Sequence, residues 1–487
     1  MDGDPEVDVG GDSGFCEHPG NASKDRATTP VNSQCLEDAI CRMVDFIAAS
    51  VTQTRRTSKL RGIPLCAAYR REQHLLARPA RIFRIISGEM THPARLILNK
   101  GVRHRILAGH PWVFASEVDR VEGRPEDGGT VELRSPKGDC LGSAIYNSRS
   151  QIVARRYATE LTALDARLLG LRLDEALAYR EALGKTIPGM ARRLVWSESD
   201  QLPGLVVDRY DDVLILQTLT LAMSRREAII ADLLLQKTGC RVVLARNDAP
   251  VRQLEGLPLE RAVLHGTYEA PTRVRIAGIN YHLNLGSGQK TGFYLDQAEN
   301  YAAVAACARG RRVLDCFTNQ GAFALSARKA GAVSCRGVDQ SADALRQAEA
   351  TAKAENLPVE WLQADVFDLL RHYEQKRETF DLIVLDPPSF TKSKGNTASA
   401  LRGYHELHLR ALRLLARGGI LATFSCSHHV TAQDWDELLR RASSETGTTL
   451  RLRRRLGQSS DHPVLVNVPE TEYLRGYVLE KVDDKAA

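Results

Sequence analysis

The stretch Val313–Phe323, VLDCFTNQGAF, decides the fold of this 487-residue chain. It predicts a buried strand that ends in an acid, followed by a turn and then a helix. Gly321 can adopt backbone conformations closed to other residues, so it would let the main chain approach a ligand. The free amide groups at the start of the helix would face that ligand. The stretch therefore indicates a cofactor-binding loop in an α/β domain.

The chemistry of this loop favours one cofactor over another. Dinucleotide-binding loops carry the spacing Gly-x-Gly-x-x-Gly, and this loop has a single glycine. Asp315 would repel an anionic pyrophosphate, whereas it would attract the cationic sulfonium and amino groups of S-adenosylmethionine. We therefore expect S-adenosylmethionine rather than NAD. An ordinary turn between a strand and a helix is the alternative interpretation.

The sequence beyond the loop alternates buried strands with helices. The predicted strands include 313–314, 383–385 and 420–422, and the predicted helices are 321–330, 342–355 and 401–415. Such alternation predicts a parallel sheet covered by helices on both faces. In these sheets ligands bind at the carboxyl ends of the strands, so the residues that follow the strands are the candidates for function.

Two more acids follow the next two predicted strands. Asp339 is placed so that its carboxylate can accept both hydroxyls of a ribose, and Asp365 can reach an adenine amino group. Either acid alone would more often be a solvated residue at the start of a helix. Together with Asp315 they follow three consecutive strands, which indicates a single binding site.

The fourth strand runs into the turn Asp386-Pro387-Pro388-Ser389-Phe390. Two prolines fix a stiff turn and leave a carbonyl that no neighbouring strand uses. A stiff acceptor beside a methyl donor suits a flat base as substrate. A merely rigid loop is the alternative.

Cys426, which follows the fifth strand, is the residue that separates one methylation chemistry from another. Carbon 5 of cytosine is a poor nucleophile, but addition of a thiolate to carbon 6 turns the ring into an enamine that can attack a methyl sulfonium. An exocyclic amine needs no such help. We interpret Cys426 as a nucleophile, with a packing role as the alternative, and Cys307, Cys316 and Cys335 as packing residues.

The composition limits the class of protein without naming it. The net charge of +6 is compatible with a nucleic-acid partner but does not indicate one. No apolar run is long enough for a transmembrane helix, so no membrane partner is expected. The ten cysteines show no pairing typical of zinc, which predicts a reducing cytoplasm and no metal. His428-His429 have no further candidate metal ligands nearby in the sequence, so we interpret them as RNA-facing or structural.

Four regions are predicted along the chain. Residues 1–92 are rich in Gly, Asp, Pro and Ser at the start, and we expect them to be disordered or an extension that begins upstream of a true start at Met90. Residues 93–160 predict a small β module and residues 161–272 an α+β module. Residues 273–487 form the α/β region with the candidate site.

Several distinctive stretches resemble the ribosomal RNA large subunit methyltransferase I family, which makes 5-methylcytidine in 23S rRNA. The resemblance runs from about Arg95 to the C-terminus. The stretches are Lys100-Gly101, 110–114 (HPWVF), 202–210 (LPGLVVDRY), 290–297 (KTGFYLDQ), 402–404 (RGY), 424–427 (FSCS) and 461–464 (DHPV).

This resemblance implies a PUA-like RNA-binding domain, a central EEHEE-type α+β domain and a Rossmann-like methyltransferase domain. It implies that Cys426 is the nucleophile. The turn at Asp386 has no second cysteine to release the product, so Asp386 is a candidate base. The residues implied at S-adenosylmethionine are Asp315, Phe317, Asn319, Gly321, Asp339, Asp365, Val366 and Asp386.

The expected partner is 23S rRNA or the assembling large ribosomal subunit, and a homodimer is left open. The residues expected to contact RNA are Lys100, Arg103, His110, Lys392, Lys394 and Arg402. Two rival functions stay open at this point. One is a methyltransferase that acts on an amino group or ring nitrogen of a purine, and the other is a non-catalytic RNA-binding protein with the same fold.

Overall fold

The computed structural model describes residues 94–100, 105–184, 187, 189–286, 292–390, 397–427 and 430–484. The predictions on residues 1–92, Arg103, Lys392, Lys394 and His428-His429 lie outside these ranges. Within them, no helix is both long and apolar enough to cross a membrane.

The first described region is a six-stranded sheet around its own small apolar core. Its strands are β1 (Arg95–Leu98), β2 (Trp112–Val113), β3 (Val118–Glu122), β4 (Thr130–Arg134), β5 (Cys140–Tyr146) and β6 (Ala154–Ala158), in the order β2-β6-β5-β4-β1-β3. β1 lies parallel to β4 and antiparallel to β3. Leu96, Leu98 and Leu133 are buried in the core of this module, which matches the β module expected from alternating apolar residues.

The second region is a five-stranded sheet with helices packed on it. Its elements are α1 (Ala166–Ala182), β7 (Ala191–Trp196), β8 (Leu205–Tyr210), β9 (Val213–Thr218), α2 (Leu221–Ser224), α3 (Glu227–Thr238), β10 (Val242–Asn247) and β11 (Glu260–His265). The sheet order is β11-β10-β9-β8-β7. The strands β8 to β11, with the helices between β9 and β10, follow the EEHEE order, and β7 is added at the edge opposite β11. Asp165 begins α1 because its side chain accepts a hydrogen bond from the Leu168 amide.

The third region is a seven-stranded sheet preceded by a hairpin and a helix. In chain order its elements are β12 (Thr272–Ile276), β13 (Ile279–Leu283), α4 (Ala298–Ala305), β14 (Arg312–Cys316), α5 (Ala322–Lys329), β15 (Ser334–Asp339), α6 (Ala342–Ala354), β16 (Glu360–Gln363), α7 (Val366–Lys376), β17 (Phe380–Leu385), α8 (Thr397–Leu414), β18 (Leu415–Ser425), α9 (Ala432–Glu445), β19 (Thr448–Gly457) and β20 (Arg475–Asp484).

The order of this sheet is β16-β15-β14-β17-β18-β20-β19, with β14 to β18 parallel and β20 antiparallel to both neighbours. The chain builds outward from β14 to β16 and then returns to the other side of β14 with β17. The point between β14 and β17 is therefore where the connections diverge, and ligands of such sheets bind there. The α/β class predicted from the alternation is confirmed.

The strands of the large sheet are buried because both faces are covered. Along β17, Leu382 and Val384 belong to one apolar cluster, and Ile383 and Leu385 belong to the cluster on the opposite face. The first cluster also contains Tyr281 of the β12–β13 hairpin and residues of the central sheet. The central and third regions therefore share a hydrophobic core.

The connection between β19 and β20, residues 458–474, joins the three regions. Asp461 accepts hydrogen bonds from Arg180 of α1 at its main-chain carbonyl (2.8 Å) and from the Arg193 amide of β7 at its carboxylate (2.9 Å). Glu470 accepts from Arg105 and from His110 of the β module, the latter at 2.9 Å. His110 is only 2% exposed, so the structure gives it a role between regions. Its expected contact with RNA is not supported.

Glu470 provides a test of this connection. Burial alone would raise the pKa of Glu470, but the hydrogen bonds from His110 and Arg105 lower it to about 2. Because the pKa is lowered in the folded protein, ionised Glu470 stabilises the fold at any pH above the usual pKa of glutamate. This contribution to stability is lost as the pH falls toward 2. Glu470→Gln should lower the melting temperature by about 1 to 3 °C near pH 7, since the pair is partly exposed.

The difference in melting temperature between Glu470→Gln and the unchanged protein should shrink as the pH falls below the usual pKa of glutamate. Circular dichroism during heating measures both melting temperatures. Glu472→Gln, an exposed neighbour, serves as the matched control. An equal effect of both substitutions at every pH would show that the contact contributes nothing specific.

Candidate active site

The loop after β14 adopts a conformation that ordinary residues rarely take. Phe317, Asn319 and Gly321 all have positive φ angles, of 64°, 49° and 80°. The Thr318 amide donates to the Val338 carbonyl at 2.9 Å, and the Asn319 amide donates to Asp339 Oδ2 at 2.9 Å. Hydrogen bonds to β15 therefore hold the loop in shape.

Asp315 stabilises this loop through hydrogen bonds to its side chain. Its side chain is fully buried, and Oδ2 accepts hydrogen bonds from the Thr318 hydroxyl and from the Ala324 amide at 3.0 Å. Oδ1 is buried and has no hydrogen-bond partner among the described residues. Burial raises the pKa of Asp315 to about 7. One oxygen thus shapes the loop, and the other is a buried, unpartnered acceptor whose chemistry suits a cationic or hydrogen-bond-donating group.

The absence of a side chain at Gly321 also makes room for the Trp361 ring, which the sequence alone does not indicate. A Cβ atom here would lie 2.4 Å from the Trp361 ring and 3.1 Å from the Ala348 Cβ. A Cβ atom at Gly337 would also meet Trp361 at 2.4 Å. A side chain at position 321 would therefore clash with a tryptophan of β16. The predicted approach of the main chain to a ligand at Gly321 stays a prediction.

Asp339 and Asp365 both stand at strand ends, as predicted. Asp339 Oδ1 accepts from the Ser341 amide at 2.9 Å, and its other oxygen holds Asn319. Asp365 begins α7, accepting from the Asp368 amide at 3.1 Å, and it also binds the Gln340 amide group. Each carboxylate oxygen has two lone pairs, so both acids keep acceptor capacity for a ligand. Val366, beside Asp365, is buried.

Gln340 and Gln297 belong to this site, although sequence reasoning assigned neither of them. Gln340 links the ends of β15 and β16 through Asp365. Gln297 is buried, and its amide donates to Asp386 Oδ2 at 3.1 Å. Gln297 was part of a stretch that carried the family resemblance, but only the fold shows its contact with the turn after β17.

Cys426 and Asp386 both affect the pKa of Tyr294. Cys426 follows the last residue of β18 and is half-buried. Burial raises the pKa of Tyr294 to about 12, and Asp386, Asp296, Cys426 and Asp339 add to the shift. The phenol therefore lies within electrostatic range of the thiol and of the candidate base.

Side-chain hydroxyls hold the segment around Cys426. The Tyr404 hydroxyl lies 2.8 Å from Ser427 Oγ, which in turn lies 3.0 Å from Ser389 Oγ. Ser425 Oγ donates to the Tyr404 hydroxyl at 3.5 Å. This network ties the turn after β17 to the turn after β18, on the two sides of Cys426.

His408 fixes α8, the helix of Tyr404, against β18. Its Nδ1 lies 2.6 Å from the Tyr404 carbonyl, which can only accept, so Nε2 accepts from the Thr423 hydroxyl at 2.8 Å. Burial lowers the pKa of His408 to about 4. The imidazole is therefore neutral at physiological pH and acts as a structural bridge.

The remaining residues expected to contact RNA are distributed over the surface. Lys100, after β1, and Arg402, on α8, are both exposed. No three His, Cys, Asp or Glu side chains come together as metal ligands in the described part of the chain.

Comparison with known proteins agrees with this geometry. A family model of PUA-like domains matches residues 96–159, and one of S-adenosylmethionine-dependent methyltransferases matches residues 208–470. Fold, strand-end acids and family match together define an S-adenosylmethionine-dependent methyltransferase preceded by a PUA-like domain.

The chain belongs to the ribosomal RNA large subunit methyltransferase I family. A relative of that name from Shewanella denitrificans is 38% identical over 391 residues, which is 79% of this chain and 98% of the relative. Another from Aeromonas salmonicida is 37% identical over 390 residues, with the same shares covered.

Solved structures show the same fold. One described as a SAM-dependent methyltransferase from Streptococcus mutans aligns with a TM-score of 0.68 at 19% identity, and covers 79% of this chain and 99% of its own. A second methyltransferase, solved in complex with SAH, aligns with a TM-score of 0.69, the same identity and the same coverage.

We expect Asp315 to make the binding of S-adenosylmethionine depend on pH. Because its pKa is about 7, the carboxyl gains negative charge as the pH rises through this value, and attraction for a cationic ligand increases. We expect the affinity for S-adenosylmethionine to rise about three- to tenfold between about pH 6 and pH 8. Isothermal titration calorimetry in buffers of different ionisation enthalpy should detect proton release near pH 7.

In Asp315→Asn both the pH dependence and the proton release should disappear. Asp381→Asn is the matched control, because Asp381 is paired with Arg312 at the opposite end of β17. If the pH dependence survived in Asp315→Asn, another group would have to be responsible for it.

Proposed function

We propose that this methyltransferase forms 5-methylcytidine in 23S rRNA, with Cys426 as the nucleophile. The observation that carries the proposal is the position of Cys426, which stands at the carboxyl end of β18 between Ser425 and Ser427, two residues that Tyr404 of α8 and Ser389 of the turn after β17 hold by hydrogen bonds. The names of the curated relatives support ribosomal RNA of the large subunit as the substrate.

The residues for the cofactor fit S-adenosylmethionine. The open Oδ1 of Asp315, the loop 317–321 and the carboxylates of Asp339 and Asp365 offer acceptors to amino and hydroxyl groups. When bound, S-adenosylmethionine supplies an electrophilic methyl group.

The proposed chemistry uses two groups of the chain. The Cys426 thiolate forms a bond to carbon 6 of cytosine, and the electron pair of the 5,6 double bond becomes available at carbon 5 for methylation. A base then removes the proton from carbon 5. The electrons of that C–H bond restore the double bond, and the thiolate leaves carbon 6. Asp386 is the candidate base, and Gln297 orients its carboxylate through Oδ2.

The target base has to leave its stack to reach Cys426, as in other enzymes that modify bases. We assign the RNA backbone to the PUA-like domain and to exposed cations such as Lys100 and Arg402. Binding of this kind weakens as salt concentration rises. An rRNA substrate fits the cytoplasmic location expected from the cysteines, and a homodimer stays a prediction.

Nucleoside mass spectrometry tests the reaction directly. Ribosomal RNA from cells without this protein, incubated with purified protein and S-adenosylmethionine, should gain 5-methylcytidine. Cys426→Ala should lower the rate by about 10³-fold or more, because the enamine no longer forms. Cys307→Ala, another half-buried cysteine, is the matched control and should retain activity.

A methylated purine in place of 5-methylcytidine would favour the rival amino or ring-nitrogen chemistry, which the Asp386-Pro387-Pro388 turn also suits. Absence of any methylated nucleoside on both free RNA and ribosomal subunits would favour a non-catalytic RNA-binding protein.

Tyr404→Phe tests whether the hydroxyl network positions Cys426. The substitution keeps the buried ring and removes only the hydroxyl that bonds to Ser427 and Ser425. We expect kcat to fall about tenfold, while the dissociation constant of S-adenosylmethionine and the KM for RNA change less than about twofold. The free energy of unfolding should fall by only about 1 kcal/mol. Equal losses in kcat and in cofactor affinity would indicate a general structural role instead.

A further inference from the structure

A cavity of about 410 Å³ lies between the central sheet and the methyltransferase domain, outside the residues assigned to chemistry. Its walls come from β7, from the segment before α4 and from the β19–β20 connection. The residues that matter here are Arg193, Trp196, Tyr294, Asp296, His462 and Tyr473. This volume is in the range of about 300 to 1,000 Å³ typical of sites for small ligands.

Aromatic side chains form much of this cavity. The rings of His462 and Tyr473 each lie 5.6 Å from the Trp196 ring, and the Arg193 guanidinium lies 4.7 Å from it. Trp196, Tyr294 and Tyr473 are only partly buried, so they present ring surface to the cavity. Flat aromatic walls of this kind suit a nucleobase, because unpaired bases stack on such rings.

The charges around the cavity exclude a phosphate as the occupant. The Arg193 guanidinium is neutralised by a two-point contact with Asp208, at 2.8 Å each. Asp248 is paired with Arg246 and Arg261. Asp296 carries no ion pair of this kind among the described residues. The cavity therefore favours a neutral or donor-rich group over an anion.

Asp296 provides the unpartnered acceptor of this cavity. Its Oδ2 accepts from the Tyr473 hydroxyl at 2.9 Å, whereas Oδ1 is buried without a hydrogen-bond partner among the described residues. His462 is held in place because its Nδ1 lies 2.7 Å from Asp461 Oδ1. A buried carboxylate oxygen without a donor is costly, so the site suits a ligand that supplies N–H groups.

Tyr294 connects this cavity with the reacting groups. It forms part of the wall, and its phenol also lies within electrostatic range of Cys426 and Asp386. A base in the cavity would therefore sit one side chain away from the target nucleotide. Contacts with the neighbours of a flipped nucleotide are a common source of sequence preference in base-modifying enzymes.

We propose that this cavity binds an unpaired nucleobase of the RNA next to the target nucleotide, with the N–H groups of its Watson–Crick edge directed to Asp296. Guanine fits best, because it presents a ring N–H and an amino group on one edge. Uracil fits least well, because it presents a single N–H there. The inference rests on the proposed function only in taking RNA as the substrate.

The test uses a single-stranded RNA of about six nucleotides, which is within the range that single-stranded binding sites cover. One central 2-aminopurine stands among uridines. 2-Aminopurine retains the amino group of guanine, and its fluorescence is quenched when it stacks on aromatic rings. The full chain should quench this fluorescence on binding. Trp196→Ala should weaken the quenched complex about tenfold, and Trp196→Phe should restore most of the affinity.

Asp296→Asn is the second variant, in case Trp196→Ala fails to fold. An asparagine cannot offer the same carboxylate acceptor. The affinity for the same RNA with guanosine in place of 2-aminopurine, measured by competition with the fluorescent RNA, should fall about fivefold, while the affinity for an all-uridine RNA changes less than about twofold. Melting temperatures of all variants would be compared with that of the unchanged protein.

Absence of quenching with the unchanged protein would overturn the proposal. So would quenching that persists in well-folded Trp196→Ala and Asp296→Asn, because the base would then lie elsewhere. This readout needs no methyl transfer, so a methylated purine product would refute the cytosine chemistry and leave the cavity proposal intact. Formation of 5-methylcytidine without quenching would refute the cavity proposal alone.

Discussion

The buried carboxylate of Asp315 is the group on which the arrangement of the active site depends. Placing a carboxylate in the interior is costly unless hydrogen bonds compensate for the lost water. Here the Thr318 hydroxyl and the Ala324 amide supply them to one oxygen. The loop between β14 and α5 must therefore close over the acid, and its amide at Asn319 then reaches Asp339 on the next strand. Burial of Asp315 therefore links the loop to the acid at the end of the neighbouring strand.

The parts of the fold that could be predicted are those governed by local periodicity. The alternation of side chains along a strand, and the place where a strand ends, depend on residues that are neighbours in sequence. The strands β14, β15 and β17, and the positions of the acids at their ends, therefore agree with the prediction. The edge strand β11 was missed because all but one of its residues are exposed, which leaves little apolar pattern. The break between α2 and α3 at Arg225-Arg226 likewise has no signal such as proline or glycine in the sequence.

The other features of the fold and of the candidate site depend on contacts between residues that are far apart in sequence, and no local pattern indicates such contacts. His110 is typical of an exposed nucleic-acid contact in sequence, yet its partner Glu470 lies 360 positions away. Gly321 was interpreted by its freedom of φ, whereas Trp361 also excludes a side chain there. The pairing of Tyr404 with Ser427 and the open oxygen of Asp296 likewise follow only from the packing of separate elements. The identity of Cys426 as a candidate was available from the sequence, but the groups that surround it were not.

The β19–β20 connection also has a consequence for how the protein is made. The PUA-like domain and α1 are synthesised well before Asp461 and Glu470, because Arg180 lies 281 positions before Asp461 and His110 lies 360 positions before Glu470. Since domains generally fold as they emerge, these two regions fold before their partners in the β19–β20 connection have been made. A chain interrupted before Asp461 would therefore lack the hydrogen bonds that join the β module and α1 to the third region.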